Sequence, residues 1–274
     1  MDLDQNIAQH YAHGALETAI LAALAAAGKN PDALTPSDLA PVDEFHIGGR
    51  QATRDLSAQL DLSRGARVLD VGSGLGGPSR YFSEDRGWQV QGIDLTPEYV
   101  DVATSLSRRV GLADITAYRV ASASELPFDD LSFDGAYMLH VGMNIADKRT
   151  AFAEVHRVLK PRGLFAIYDV MLEGNGDFAY PVPWSSGPET NFIASAEAYR
   201  TDLSAAGFTI VKERNRRDFA LESFAQMRQR MAAGGPSAPG LQIAMGATAA
   251  QKVANMMGGV QRGLFAPVEI ISRA

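Results

Sequence analysis

The chain has 274 residues, enough for one large α/β domain, and its 46% hydrophobic and 21% charged content excludes disorder as a global description. It contains no cysteine, which excludes disulfides, thiolate metal sites and cysteine nucleophiles. Its net charge of -7 repels phosphate backbones, and its densest basic cluster, Arg214, Arg216 and Arg217, is flanked by Glu213 and Asp218, so nucleic acid is not an expected partner.

The chain starts acidic, without the apolar core of a secretory signal. The most apolar stretch, residues 19–27, falls well short of the roughly 18 residues a membrane span needs. A soluble, cytoplasmic protein with no membrane partner is expected. Residues 12–27 are rich in Ala and Leu and predict a helix that Gly28 and Pro31 stop. Thr35, Pro36 and Asp38 predict the start of a second: a capping hydroxyl, a proline at the first helical position and an acid at the third. Residues 45–49 break the pattern, and helical spacing resumes over 50–60.

From Arg67 the pattern changes. Short apolar runs recur at 68–71, 89–93, 116–121, 133–139, 164–170, 208–212 and 266–272, with helical stretches between them. Such alternation predicts a parallel sheet with βαβ crossovers. An insertion rich in Met and Gly, residues 218–262, separates the last two runs. Within it Gly234-Gly235-Pro236-Ser237-Ala238-Pro239-Gly240 reads as a flexible loop. The run at 266–272 is expected to return as an edge strand.

The densest signal is Val68-Leu69-Asp70-Val71-Gly72-Ser73-Gly74-Leu75-Gly76-Gly77, in which a strand ends, a glycine loop follows and a helix starts near Pro78. Glycine lets the backbone take positive φ and approach a ligand closely. Asp94 follows Gly74 by 20 residues at the end of the next run, where an acid can accept both hydroxyls of a ribose. Gly72, Gly74 and Gly77 also satisfy G-x-G-x-x-G, so an NAD-dependent oxidoreductase is a live rival on this motif alone. Against it, Asp70 faces the loop, where it would hold an ammonium and repel a pyrophosphate.

VLDVGSGLGG, GIDLTPEYV, ELPFDDLSFD and VLKPRGLFAIYDV together resemble the successive motifs of class I S-adenosylmethionine-dependent methyltransferases, over about residues 50–170. Within that class the chain is similar to the ubiquinone/menaquinone-biosynthesis-like branch. HVGMNIADK and YPVPW look like sarcosine/dimethylglycine methyltransferases. The resemblance implies a Rossmann-like α/β fold with a seven-stranded, mostly parallel sheet, an N-terminal helical extension and a helical insertion before the last strand. It implies a helical cap over residues 1–55 and a catalytic domain over 56–274, with 218–262 a lid-like insertion. It implies S-adenosyl-L-methionine as cofactor, with Asp70, Gly72, Ser73, Gly74 and Gly76 lining its methionine end. Asp94 would hold the ribose, Leu95 would pack on the adenine, and Ser122 and Ala123 would meet the adenine edge. The family usually has Asp where this chain has Ser122, and a hydroxyl can still bond the exocyclic amine. The loop of His46, Gly48 and Gly49 would close over the cofactor's carboxylate, with His46 toward the substrate, or be a simple interhelical turn. The family's Lys-Pro-Gly-Gly turn is Lys160-Pro161-Arg162-Gly163 here, which still suits a type I turn.

Methyl transfer from a sulfonium needs alignment, exclusion of water and sometimes removal of a proton. His140, after the fourth strand, is the candidate base or polar contact, set against a structural histidine. Asn144 would orient a substrate or cap a loop. Tyr11 would cap the substrate pocket or pack on a helix face. Trp184, stiffened by Pro181 and Pro183, would either attract an alkylated ammonium or serve as an apolar lid. His140 and Trp184 are expected on opposite sides of the acceptor. His10 and His156 offer no ligand spacing, so no metal is expected. The Met-rich tail of the insertion, residues 245–257, would adapt to an apolar substrate or to another subunit, which leaves a homodimer open. The expected function is methyl transfer to a small-molecule acceptor; a non-catalytic protein that binds S-adenosylmethionine is the second alternative.

Overall fold

The structure, a computed structural model, describes residues 15–233, 243 and 245–274. Seven strands, β1 (Arg67–Val71), β2 (Gln89–Asp94), β3 (Thr116–Val120), β4 (Phe133–Leu139), β5 (Leu159–Leu172), β6 (Thr209–Asn215) and β7 (Phe265–Arg273), form one sheet in the order β3-β2-β1-β4-β5-β7-β6. Strands β3, β2, β1, β4 and β5 run parallel to one another. β7 is antiparallel to both β5 and β6. This is the Rossmann-like, mostly parallel sheet that the alternating runs predict.

The position of β7 corrects one expectation. It lies inside the sheet, and β6 is the edge. Burial explains why: every residue of β7 but Arg273 is buried, which requires a neighbour on each side, whereas no residue of β6 is buried and it carries Lys212, Glu213 and Arg214. Charged, exposed side chains suit an edge.

The described helices are α1 (Leu16–Ala26), α2 (Pro36–Asp43), α3 (Gly49–Ser57), α4 (Gly77–Arg86), α5 (Pro97–Arg109), α6 (Lys148–Val158), α7 (Ala196–Ala205), α8 (Arg217–Ala232) and α9 (Ala249–Arg262). On one face of the sheet, Phe152, Val155 and Val158 of α6 pack with Tyr199 and Leu203 of α7. On the other, Ala52 and Leu56 of α3 meet Phe82 of α4. α1, α2 and α5 share a smaller core around Ile20, Leu39 and Leu106. α8 and α9 build a fourth around Phe224, Met256 and Val260, together with Val182 and Trp184. None of the described helices is long and apolar enough to cross a membrane.

Local signals behave as their chemistry requires. Thr35 and Asp38 form a capping box: Thr35 Oγ1 accepts from the Asp38 amide at 3.3 Å while Asp38 Oδ2 accepts from the Thr35 amide at 3.0 Å. The turn before β5's main run differs from expectation. Arg162 sits at φ 68°, and a positive φ at the third turn residue is incompatible with type I and marks type II.

Candidate active site

At the carboxyl edge of β1, β2 and β4 the described residues enclose a cavity of about 1860 Å³. That exceeds the roughly 300–1,000 Å³ of a site for one small ligand, leaving room for two. Parallel sheets open such a crevice where crossovers leave in opposite directions; here β1 has β2 on one side and β4 on the other.

The glycine loop forms one wall. The amides of Gly72 and Ser73 both donate to the Ile93 carbonyl, at 2.9 and 2.8 Å, which binds the loop to the end of β2. Gly74 has φ 52°, and the space where its Cβ would stand holds no atom within 4 Å. Its amide donates to Asp94 Oδ2 at 2.9 Å, and the Thr96 amide donates to Asp94 Oδ1 at 2.9 Å. Both carboxylate oxygens are thereby aimed by backbone donors, with the Leu95 amide and the Thr96 side chain also bonded to the carboxylate. Burial raises the Asp94 pKa, and these amides pull the other way.

Asp70 also lines the cavity and is 2% exposed. Ser79 Oγ and Tyr137 OH donate to its Oδ2 at 2.6 and 2.8 Å. Burial outweighs both bonds and pushes its carboxyl up to about 7. A carboxylate so placed is stabilised by any cation that enters.

Gly72, Ser73, Leu95, Ser122 and Ala123 stand on the cavity wall. Gly76 does not. It is the left-handed residue before α4, and a Cβ there would strike the Tyr118 hydroxyl, so its lack of a side chain serves packing behind the loop. Gly48 and Gly49 line the cavity, but the Gly49 amide already donates to the His46 carbonyl at 3.0 Å. A Cβ on Gly48 would collide with the Phe219 ring of α8.

His46 and His140 line the cavity, and the buried Tyr168 ring packs against both. His140 is centred 5.1 Å from Tyr168 and 6.0 Å from His46. It carries φ 55°, a left-handed backbone that few non-glycine residues adopt, and its Nε2 has no hydrogen-bond partner among the described residues. Burial, then neighbouring His46, pushes its pKa well below the ordinary histidine value, so the ring is neutral. His46 Nε2 lies 3.0 Å from the Gly49 carbonyl, which can only accept, so that nitrogen bears the hydrogen. Burial lowers the His46 pKa to about 4.

Trp184 reaches the wall but is 2% exposed; its indole N–H donates to Asn191 Oδ1 at 2.9 Å and its ring packs edge-on against Phe265. Asn144 donates to the Trp184 carbonyl at 2.8 Å and so fixes that loop. Tyr11, with His10 and His13, lies outside the described residues.

Several contributors escape a reading by motif. Ser79 and Tyr137 hold Asp70, and their only sequence signal is a hydroxyl on a face that burial makes apolar. Glu44 accepts from Thr53 Oγ1 at 2.6 Å and pairs with Arg50 beneath the His46 loop. Nothing in the spacing of these residues announces that the N-terminal helices reach the sheet edge.

The methyltransferase domain family matches residues 69–167. The erythromycin 3''-O-methyltransferase of Saccharopolyspora erythraea is 32% identical over 191 residues, covering 64% of this chain and 62% of that protein. The chain spans about half the length of the first curated relatives it matches. Among solved structures, a geranyl diphosphate C-methyltransferase from Streptomyces coelicolor superposes with TM-score 0.71 at 17% identity, covering 100% of this chain and 98% of that one. A Galdieria sulphuraria protein described as a sarcosine dimethylglycine methyltransferase superposes with TM-score 0.65 at 23% identity, covering 81% and 84%.

Proposed function

We propose that the protein, whose residues 69–167 match the methyltransferase domain family, is a class I S-adenosylmethionine-dependent methyltransferase that transfers a methyl group from S-adenosylmethionine to a small molecule held in the same cavity. The observation that carries this reading is the Asp94 carboxylate, aimed by the Gly74 and Thr96 amides across the open side of the glycine loop. Two oxygens so held suit the two hydroxyls of a ribose. Leu95 packs against the adenine, and Ser122 and Ala123 meet its edge. Gly72, Ser73 and Gly74 admit the methionine end, whose ammonium neutralises buried Asp70. The Gly48 amide, rather than that of Gly49, is the donor left to meet its carboxylate.

The sulfonium activates the methyl group; the chain aligns the acceptor, keeps water out and, where the acceptor requires it, takes a proton. His140 Nε2 is the group for that proton, because that nitrogen is unpartnered among the described residues, although the burial that keeps the ring neutral also makes it a weak base. An acceptor hydroxyl or acidic carbon uses it so; a tertiary amine has no proton to lose and meets only a polar wall. Trp184 serves as apolar wall in either case, since its N–H is engaged and little of its face is open. The described parts of the helical cap (1–55) and of the lid-like insertion (218–262) both contribute to the cavity wall, which supports reading them as a cap and a lid over it. The setting is cytoplasmic, and the acceptor is not a nucleic acid, given the net charge of -7.

The dinucleotide reading loses support at β7. The fold that binds NAD is a parallel six-stranded sheet in the order 3-2-1-4-5-6, whereas here an antiparallel strand is inserted between β5 and β6. Titration calorimetry with S-adenosylhomocysteine and NADH separates the two, and transfer of labelled methyl to a pool of candidate acceptors separates an enzyme from a binding protein. In the folded Asp94→Ala variant, losing a charged acceptor worth roughly 1.5–3 kcal/mol weakens S-adenosylhomocysteine about ten- to a hundredfold. Unchanged affinity removes Asp94 from the site, and binding of NADH alone removes the reading.

A further inference from the structure

The far wall of the cavity, away from the glycine loop, is built by α8 and α9 and is apolar: Phe224, Met227, Val253, Met256 and Met257 line it. One buried cation stands among them. Lys252 of α9 is 6% exposed and lines the same cavity. Its Nζ donates to the Met245 carbonyl at 3.2 Å, which engages one of three N–H groups. Among the described residues no carboxylate pairs with it: no ion pair includes Lys252, and desolvation alone accounts for the downward displacement of its pKa. Lys148, the other buried lysine, makes the contrast. It donates to the Ile145 and Phe192 carbonyls, and Asp169 and Asp202 offset its charge.

A desolvated ammonium without an anion is costly. A latch to one carbonyl does not need a charge, since a neutral donor would make the same bond. The cost is offset if an anion arrives with the ligand. Exposed Arg228 and Arg230 on α8 also line the cavity, with one acid, exposed Glu222, beside them. Among the α8 and α9 residues on the cavity, cations therefore outnumber acids.

We infer that Lys252 selects the acceptor: a mostly apolar small molecule bearing a carboxylate or phosphate group, whose oxygens take the two free N–H groups of Lys252 while the methionine wall packs its body. The methionine side chains are unbranched and polarizable, and they fit irregular apolar shapes. This rests on the proposed methyl transfer in that the apolar wall is taken as the acceptor's half of the cavity.

The test uses two fluorescent probes of nearly equal shape, 1-anilinonaphthalene-8-sulfonate, an anion, and N-phenyl-1-naphthylamine, which is uncharged. Both are titrated into the protein saturated with S-adenosylhomocysteine. The variants are Lys252→Met, which keeps the stem, and Lys252→Arg, which keeps the charge. The sulfonate weakens by roughly ten- to a hundredfold in Lys252→Met, the span of a hydrogen bond to a charged group. It is retained within a few-fold in Lys252→Arg, and the uncharged probe is unchanged in both. Lys252→Gln stands in if Lys252→Met does not fold. Sulfonate affinity in Lys252→Met within twofold of wild type overturns the inference, as does failure of the wild type to prefer the sulfonate. Binding of S-adenosylhomocysteine is measured separately, so loss of the methyl-transfer reading is distinguishable from loss of the anion subsite.

Discussion

Asp70 is held by two hydroxyls on the same oxygen and buried so deeply that its carboxyl titrates near neutrality, with a value of about 7. The direction of this displacement fixes a pH dependence. Below about 7 the ligand-free protein carries a proton on Asp70; a bound ammonium requires the ionised form, so binding expels that proton. Affinity for S-adenosylhomocysteine therefore rises as pH climbs toward about 7 and levels above it, a gain of roughly tenfold between pH 6 and 8. Calorimetry in buffers of different ionisation enthalpy reads the released proton directly. The Asp70→Asn variant binds more weakly and without the pH dependence. A flat profile in the wild type, with no proton released, places the ammonium elsewhere.

At the scale of elements, the turn into the main run of β5 offers a simple check. Arg162 occupies φ 68°, where an L side chain is strained by about 1–2 kcal/mol and glycine is not. Replacing it by glycine relieves that strain but loosens the unfolded chain. The net expectation for Arg162→Gly is a gain of up to about 1 kcal/mol, read as a higher midpoint in urea with an unchanged slope. A lower midpoint shows that the side chain itself contributes more than the backbone costs. The same turn shows why some elements were legible in the sequence and others were not. Residues 133–139 and the glycine loop are set by apolar periodicity and by glycine, both local, and the strand and loop stand where the sequence put them. Asp94 was legible for the same reason, a fixed distance along one βαβ unit. The place of β7 depends on the order of strands in space, and the burial of Trp184 against Phe265 and the hold of Tyr137 on Asp70, 67 residues away, depend on contacts between distant parts of the chain. No local pattern records those.

Across the whole molecule, Arg216 joins three parts of the chain. It pairs with Glu269 in β7 and with Asp55 in α3, the latter at 2.6 Å, and its guanidinium lies 4.0 Å from the centre of the Phe219 ring in α8. Phe219 in turn covers Gly48 at the rim of the cavity. Cutting this tie in Arg216→Ala leaves Glu269 buried with Arg214 as its remaining ionic partner. The expected cost is about 3 kcal/mol, the lower end for breaking a buried pair, and a melting temperature lower by roughly 6–12 °C. A variant that melts with the wild type shows that Arg214 carries the load alone.

The burial of β7 between β5 and β6 also sets an order of events in time. Among the described strands β6 hydrogen-bonds only to β7, so when the chain is made from its N-terminus β6 emerges before the strand that receives it. The stretch of about fifty residues that follows it takes roughly 3–10 s to synthesise at 5–20 residues per second. During that interval the outer edge of β5 and the whole of β6 are open to any passing strand. Slowing translation between the two strands should thus lower the soluble yield of this protein more than slowing it anywhere earlier, a cost borne by the nascent chain and invisible once β7 has slipped into place.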